Sequence, residues 1–161
     1  MTVSTGITKT KKYKLSTERN KALSMFQKIR KLQDSSDGYV KCISCGKFIP
    51  VSEADGGHFI PRQYRATELM PTNVNAQCRT CNRFDYGNQI GYEEGLTERY
   101  GIRETERLKN FYKAYKGNAE AYSSLSDEDK KLVFRHKSAL EYHEAYLEYC
   151  KIYKQLKDKE V

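Results

Sequence analysis

Four cysteines form two Cys-x-x-Cys pairs, Cys42 and Cys45 in "CISCG" and Cys78 and Cys81 in "CRTCN". Each short loop can turn two thiolates toward one ion, and zinc takes four such ligands tetrahedrally. A redox role needs only one pair, and cysteines that merely pack need no such spacing, so the pairing predicts a structural zinc. A site filled by four sulfurs holds the fold and is not itself the chemical centre. The gap between Cys45 and Cys78 is longer than in compact zinc ribbons, so a substantial insert hangs from the metal. Cys150 has no partner in sequence and reads as a packed or half-exposed thiol.

The insert carries His58, one of 3 histidines, within "ADGGHFIPRQY". His136 and His143 lie seven residues apart in a helical stretch, where surface or packing roles suffice. His58 is set apart by its company: Asp55, Asn73, Asn75, Gln77, Asn82, Asn88 and several arginines share the cysteine-bounded unit. Zinc would tie residues 42–45 to residues 78–81, so Asn82 begins close to the strands carrying His58. Gly56 and Gly57 permit a tight backbone path and a close approach of phosphate, which would let Asp55 and His58 face one point. The alternative is an ordinary glycine turn with a capping aspartate.

These residues need elements to position them. Residues 1–14 read as a flexible basic arm, with Lys9, Lys11, Lys12 and Lys14 suited to phosphate contact. "STERNKALSMFQKIRKLQ" reads as a helix capped at Ser16, with Ala22, Met25, Phe26, Ile29 and Leu32 on one face and Lys21, Lys28, Arg30 and Lys31 elsewhere. "YVKCISCGKFIPV" predicts two short strands around a cysteine turn, "GGHFI" a further strand, and "CRTCNRFDYGN" a second cysteine turn leading into a helix. From Tyr92 onward the pattern is helical. Ser126 and Asp129 form a capping box, and the stretch after it, free of Pro and Gly, predicts one helix of roughly 45–50 Å. Leu132, Ala139, Tyr142, Tyr146, Tyr149, Tyr153 and Leu156 make a seam along it, fit either for packing on its own chain or for a homodimer.

The chain has 161 residues, a formal charge of +8, 38% hydrophobic residues, 13 tyrosines and no tryptophan. Mean hydropathy is −0.84 and the pI is near 9.2. One thin-cored domain leaning on a metal or partner is expected. The charge favours a polyanion, with nucleic acid ahead of an acidic membrane surface. No apolar run approaches the ~18 residues a spanning helix needs. The first residues show no secretory signal, and an odd cysteine count argues for a reducing compartment, so a cytoplasmic protein is expected.

The ordered set "CISCG", "DGGHF", "NVNAQCRTCNR", Gly87-Asn88, and Tyr92, Leu96 and Arg99 resembles the NinG (Rap) recombination nucleases of lambdoid phages, closely over residues 37–101 and more loosely in the tail. The resemblance implies an α+β fold: a zinc-stapled ββα-metal (HNH-like) core at 37–101, a basic arm and helix at 1–36, and a long helical extension at 102–161 for possible dimerisation. It implies a metal-dependent endodeoxyribonuclease that cleaves branched DNA, such as Holliday junctions and D-loops, in the cytoplasm of the phage's host. His58 would be the general base and Asn73 would orient it or hold the loop. Asn82 matches a metal-ligand position, and Asp55 is the nearest carboxylate for Mg²⁺ or Mn²⁺. The residue before the base is usually Asp or His in HNH sites; here it is Gly57. Asp55, Asn88 or Glu93 would then complete the metal site. Arg62, Arg65, Arg79, Arg83 and the N-terminal lysines Lys11, Lys12 and Lys14 would hold DNA phosphates. The alternatives are a non-catalytic zinc module that binds nucleic acid, a partner-binding adaptor working through the tyrosine seam, and an HNH enzyme nicking ordinary duplex.

Overall fold

The structure, a computed structural model, describes residues 12–159. Lys9 and Lys11 lie outside the described residues; Lys12 and Lys14 are exposed. Helix α1 (Leu15–Gln33) begins one residue before Ser16, with Lys14 at the N-cap and no side-chain cap. Its inner face carries Ala22, Phe26 and Ile29, joined by Leu23, Glu18 and Arg30. Arg30 therefore leaves the positive outer surface predicted for it. Its Nε donates to the Val74 carbonyl at 3.0 Å and its Nη2 to the Tyr100 hydroxyl at 3.0 Å, which satisfies a guanidinium that packing has largely removed from water.

Two small antiparallel sheets follow. Strands β1 (Ser35–Ser36), β2 (Tyr39–Lys41) and β3 (Phe48–Pro50) form the first, with the Cys42–Cys45 turn between β2 and β3. The second pairs β4 (Ala54–His58) with β5 (Val74–Cys78), placing Asp55 opposite Gln77 and His58 opposite Val74. The chain then makes a π-helical turn at Thr80–Phe84 and enters α2 (Gln89–Tyr100), capped by Asn88. Helices α3 (Ile102–Tyr115), α4 (Ala119–Ser124) and α5 (Asp127–Leu132) fold back to enclose a core of Ile43, Phe59, Tyr92, Leu96, Leu108, Phe111 and Val133.

The single long C-terminal helix is not formed. Helix α5 stops at Leu132 and α6 runs over Ala139–Lys159. At 21 residues α6 is about 31 Å long. Val133, 1% exposed, packs into the core at the C-cap of α5. The restart has a local cause: Ser138 Oγ accepts from the Glu141 amide while the Glu141 carboxylate accepts from the Ser138 amide, a reciprocal capping box. The box expected at Ser126 is half formed. Ser126 Oγ accepts from the Asp129 amide, but the Asp129 carboxylate turns to Arg107.

The tyrosine seam packs within the chain, against α1. Tyr149 meets Phe26 with ring centroids 5.1 Å apart, Lys21 Nζ lies over the Tyr146 ring at 5.8 Å, and Tyr142 is fully buried. His143 stacks on Tyr13 and bonds Glu18 near the start of α1, so the two helices run parallel. Nothing of Tyr142 is left for a second copy.

Candidate functional site

The four cysteine sulfurs all lie within 4.8 Å of one another, and Cys45 and Cys78 Sγ are 3.8 Å apart. Thiolates at about 2.3 Å from zinc in a tetrahedron would be about 3.8 Å apart, so the donor set fits that ion. Backbone amides already point at the sulfurs: Cys78 N donates to Cys42 Sγ at 3.3 Å and Cys81 N to Cys78 Sγ at 3.4 Å. Burial pushes the Cys81 thiol up to about 12, a cost that a bound cation reverses by taking the proton's place. Asn88 Nδ2 lies 3.5 Å from Cys81 Sγ while its Oδ1 caps α2. Asn88 thus serves the thiolate cluster and the helix, and is no ligand partner of Asp55.

Gly56 and Gly57 do not make a turn. Both lie inside β4, and neither has positive φ. Their smallness serves close packing: a Cβ on Gly56 would meet Gln27 Cβ of α1 at 2.6 Å, and one on Gly57 would meet Gln77 Oε1 at 2.2 Å. Because side chains alternate along a strand, Asp55 and His58 project from opposite faces. Three residues of rise separate their Cα atoms by about 10 Å. The expectation that the glycines aim both at one point is overturned by strand geometry.

On one face stands Asp55. Its carboxylate accepts from Asn82 Nδ2 at 2.9 Å and from Arg83 Nε and Nη2 at 2.7 Å each. Burial alone would raise the Asp55 carboxyl, but the Arg83 and Asn82 bonds and the nearby Arg79 hold it below its usual range. The cysteine turn does deliver Asn82 to this strand, as the spacing required. Arg83, expected on DNA phosphate, is instead forked onto Asp55. Glu93 is elsewhere, paired with Lys109 Nζ at 2.9 Å on α3.

On the other face His58 Nε2 lies 3.0 Å from the Glu68 carbonyl. A carbonyl only accepts, so Nε2 carries the proton and Nδ1 presents its lone pair. Among the described residues no protein group bonds Nδ1. Burial pushes the imidazole below its ordinary value, against the pull of Glu68 and with that of Arg62 and Arg19. His58 is therefore neutral at pH 7.

Three groups support His58; Glu68 carried no sequence signal, whereas Asn73 was expected to orient the histidine or hold the loop. Glu68, fully buried, is gripped by Arg19 at 2.6 Å and by the Tyr142 hydroxyl, which fixes the carbonyl facing His58. The Tyr92 hydroxyl donates to the Gly57 carbonyl at 2.9 Å and receives the Asn75 amide at 3.1 Å, locking β4 to β5. Asn73, 0% exposed, accepts from Ile60 N and donates to the Ile60 and Thr67 carbonyls, so it holds the loop after β4. Arg62 and Arg79 are exposed and Arg65 half-buried; Arg79 reaches the Ser52 carbonyl at 3.4 Å.

The fold and site define an α+β chain in which a four-cysteine cluster clamps a two-stranded sheet bearing a neutral histidine. The chain belongs to the NinG family: the family model described as Bacteriophage Lambda NinG protein matches residues 5–138. Protein ninG of Salmonella phage P22 is 30% identical over an alignment of 98 positions that covers 57% of this chain and 45% of that relative. The match thus spans less than half of the relative's length. No solved structure gives a significant match. No helix among the described residues is long and apolar enough to cross a membrane.

Proposed function

We propose that this chain is a metal-dependent endonuclease that cuts branched DNA, with the zinc-clamped sheet and following helix working as a ββα-metal site. The observation that carries the reading is the His58–Glu68 bond, which leaves a neutral imidazole with Nδ1 free to accept a proton. Water gives its proton to Nδ1 as its oxygen attacks phosphorus. The bond from phosphorus to the 3′ oxygen breaks and that oxygen takes a proton from solvent, leaving 5′ phosphate and 3′ hydroxyl ends.

Asp55 and Asn82 supply the oxygen donors that Mg²⁺ or Mn²⁺ prefers, and a protein contribution of one carboxylate and one amide suits an ion that keeps waters and takes phosphate oxygen. An ion held there would supply Lewis-acid stabilisation of a phosphate, and because Asp55 and His58 project from opposite faces of β4, it would reach the phosphate attacked at His58 only after β4 rearranges. Arg83 must leave the carboxylate and the Asn82 amide must turn its oxygen inward before an ion can be held. Arg62 and Arg19 beside His58, and Arg79 beside Asp55, flank β4 with positive charge suited to a phosphate backbone. Resolving a two-fold junction takes two opposed cuts, so the reading includes a homodimer, joined by a surface that leaves the buried Tyr142 in place.

Zinc-loaded protein incubated with a four-way junction and a matched linear duplex, with and without Mg²⁺, tests the reading. Cutting of the junction only with Mg²⁺ supports it. Tight binding without cleavage under any divalent ion favours a non-catalytic zinc module, and equal cutting of both substrates favours a duplex nicking enzyme.

A further inference from the structure

A cavity of about 860 Å³ opens where the C-terminal ends of α1 and α6 converge. Its walls carry Lys28, Lys31, Lys157 and Lys159, with Tyr153 along one side and Ser52 on the floor. The single carboxylate on it, Asp37, sits in the exposed turn between β1 and β2. Lysines in the last turn of a helix complement its dipole, which accounts for Lys31, Lys157 and Lys159 taken singly. It does not account for Lys28, which precedes the last turn of α1, nor for the gathering of four lysines along one open groove. Lys28 and Lys159 are exposed and make no hydrogen bond or ion pair among the described residues.

The groove adjoins the strand that carries Asp55. Lys31 Nζ donates to the Ala54 carbonyl at 2.7 Å, one residue before Asp55, and Arg79 reaches the carbonyl of Ser52 on the groove floor. We propose that this lysine groove binds a second stretch of nucleic-acid backbone, leading it past Ser52 toward Asp55. It rests on the nuclease reading for its purpose, since a branched substrate brings two backbone paths to one site. Like charge gathered at this density is costly without a polyanion, and lysines neutralise phosphates with release of condensed counterions.

The test is equilibrium binding across a salt series without added divalent cation, so cleavage plays no part and a chain that binds without cutting gives the same reading. Lys28→Gln with Lys159→Gln is compared with a charge-matched pair, Lys113→Gln with Lys131→Gln, on a four-way junction, a linear duplex and a single strand. Zinc content and Tm confirm that both variants are folded. The groove pair is expected to lower the slope of log K against log salt by about 1.8 on duplex arms or about 1.4 on a single strand, with affinity near 0.1 M salt falling on the order of ten- to a hundredfold. The form of DNA that shows the loss identifies which strand the groove holds. A groove pair indistinguishable from the control pair on all three substrates overturns the proposal.

Discussion

His58 and Glu68 are ten residues apart in sequence, and the 3.0 Å bond from His58 Nε2 to the Glu68 carbonyl fixes the imidazole as the Nε2–H tautomer. Glu68 can hold that carbonyl in place because its own carboxylate is held by Arg19 of α1 and Tyr142 of α6. The imidazole is thus set by contacts from both ends of the chain.

That dependence has a measurable cost when it is broken. Glu68→Ala leaves the Arg19 guanidinium without its buried partner and should destabilise the fold by about 3–5 kcal/mol. Tyr142→Phe removes one donor and should cost about 1–3 kcal/mol. Urea unfolding of both variants gives the values; a Glu68→Ala loss below that of Tyr142→Phe would contradict the arrangement.

The depressed pKa of His58 predicts a pH effect on stability. Its folded value lies below the unfolded value near ~6.5, so the unfolded state binds more protons between the two. The stabilisation is present above the unfolded value and is lost as pH falls through ~6.5 toward the folded value. Tm measured from pH 8 to pH 5 should drop more steeply for the native chain than for His58→Gln. Parallel curves would show that His58 titrates as in the unfolded chain.

Zinc removal should unfold the protein. The four sulfurs come from two turns that otherwise lie on separate sheets, and a structural zinc contributes folding free energy directly. One zinc per chain is expected by elemental analysis, and Cys78→Ser should lose both the metal and the cooperative unfolding transition. A folded chain containing no zinc would refute this.

In the proposed metal site, Arg83 would compete with a cation for Asp55. Its side chain is 57% exposed, so the ion pair is screened by solvent and weakly held. Arg83→Gln should therefore tighten Mn²⁺ binding by about two- to fivefold in an EPR titration without DNA, whereas Asn82→Ala should weaken it. Weaker Mn²⁺ binding by Arg83→Gln would argue that the arginine organises the carboxylate instead.

The parts legible in the sequence were those with local signals. Two-residue loops between cysteines constrain where thiolates can go, so the cluster and the delivery of Asn82 to β4 could be read directly. His58 stood out because polar neighbours crowd its cysteine-bounded unit. Glycine gives an ambiguous signal: Gly56 and Gly57 could mean a turn or a close approach, and only the packing of Gln27 and Gln77 decides. Glu68 meets Arg19 across 49 residues and Tyr142 across 74, separations at which no periodicity speaks. The break between α5 and α6 did have a local mark, the Ser138–Glu141 capping box, but no Pro or Gly drew attention to it. Arg83 reads as a free cation until the fold turns it onto Asp55.

The central claim is that His58 takes the proton from attacking water, and one comparison tests it most directly: single-turnover cleavage of a four-way junction by the native chain and by His58→Ala, with DNA affinity measured in parallel. The account predicts that the variant, zinc-loaded and binding the junction as tightly as the native chain, cuts about 10²–10⁴ times more slowly in Mg²⁺. Cutting at the native rate with equal binding would contradict it.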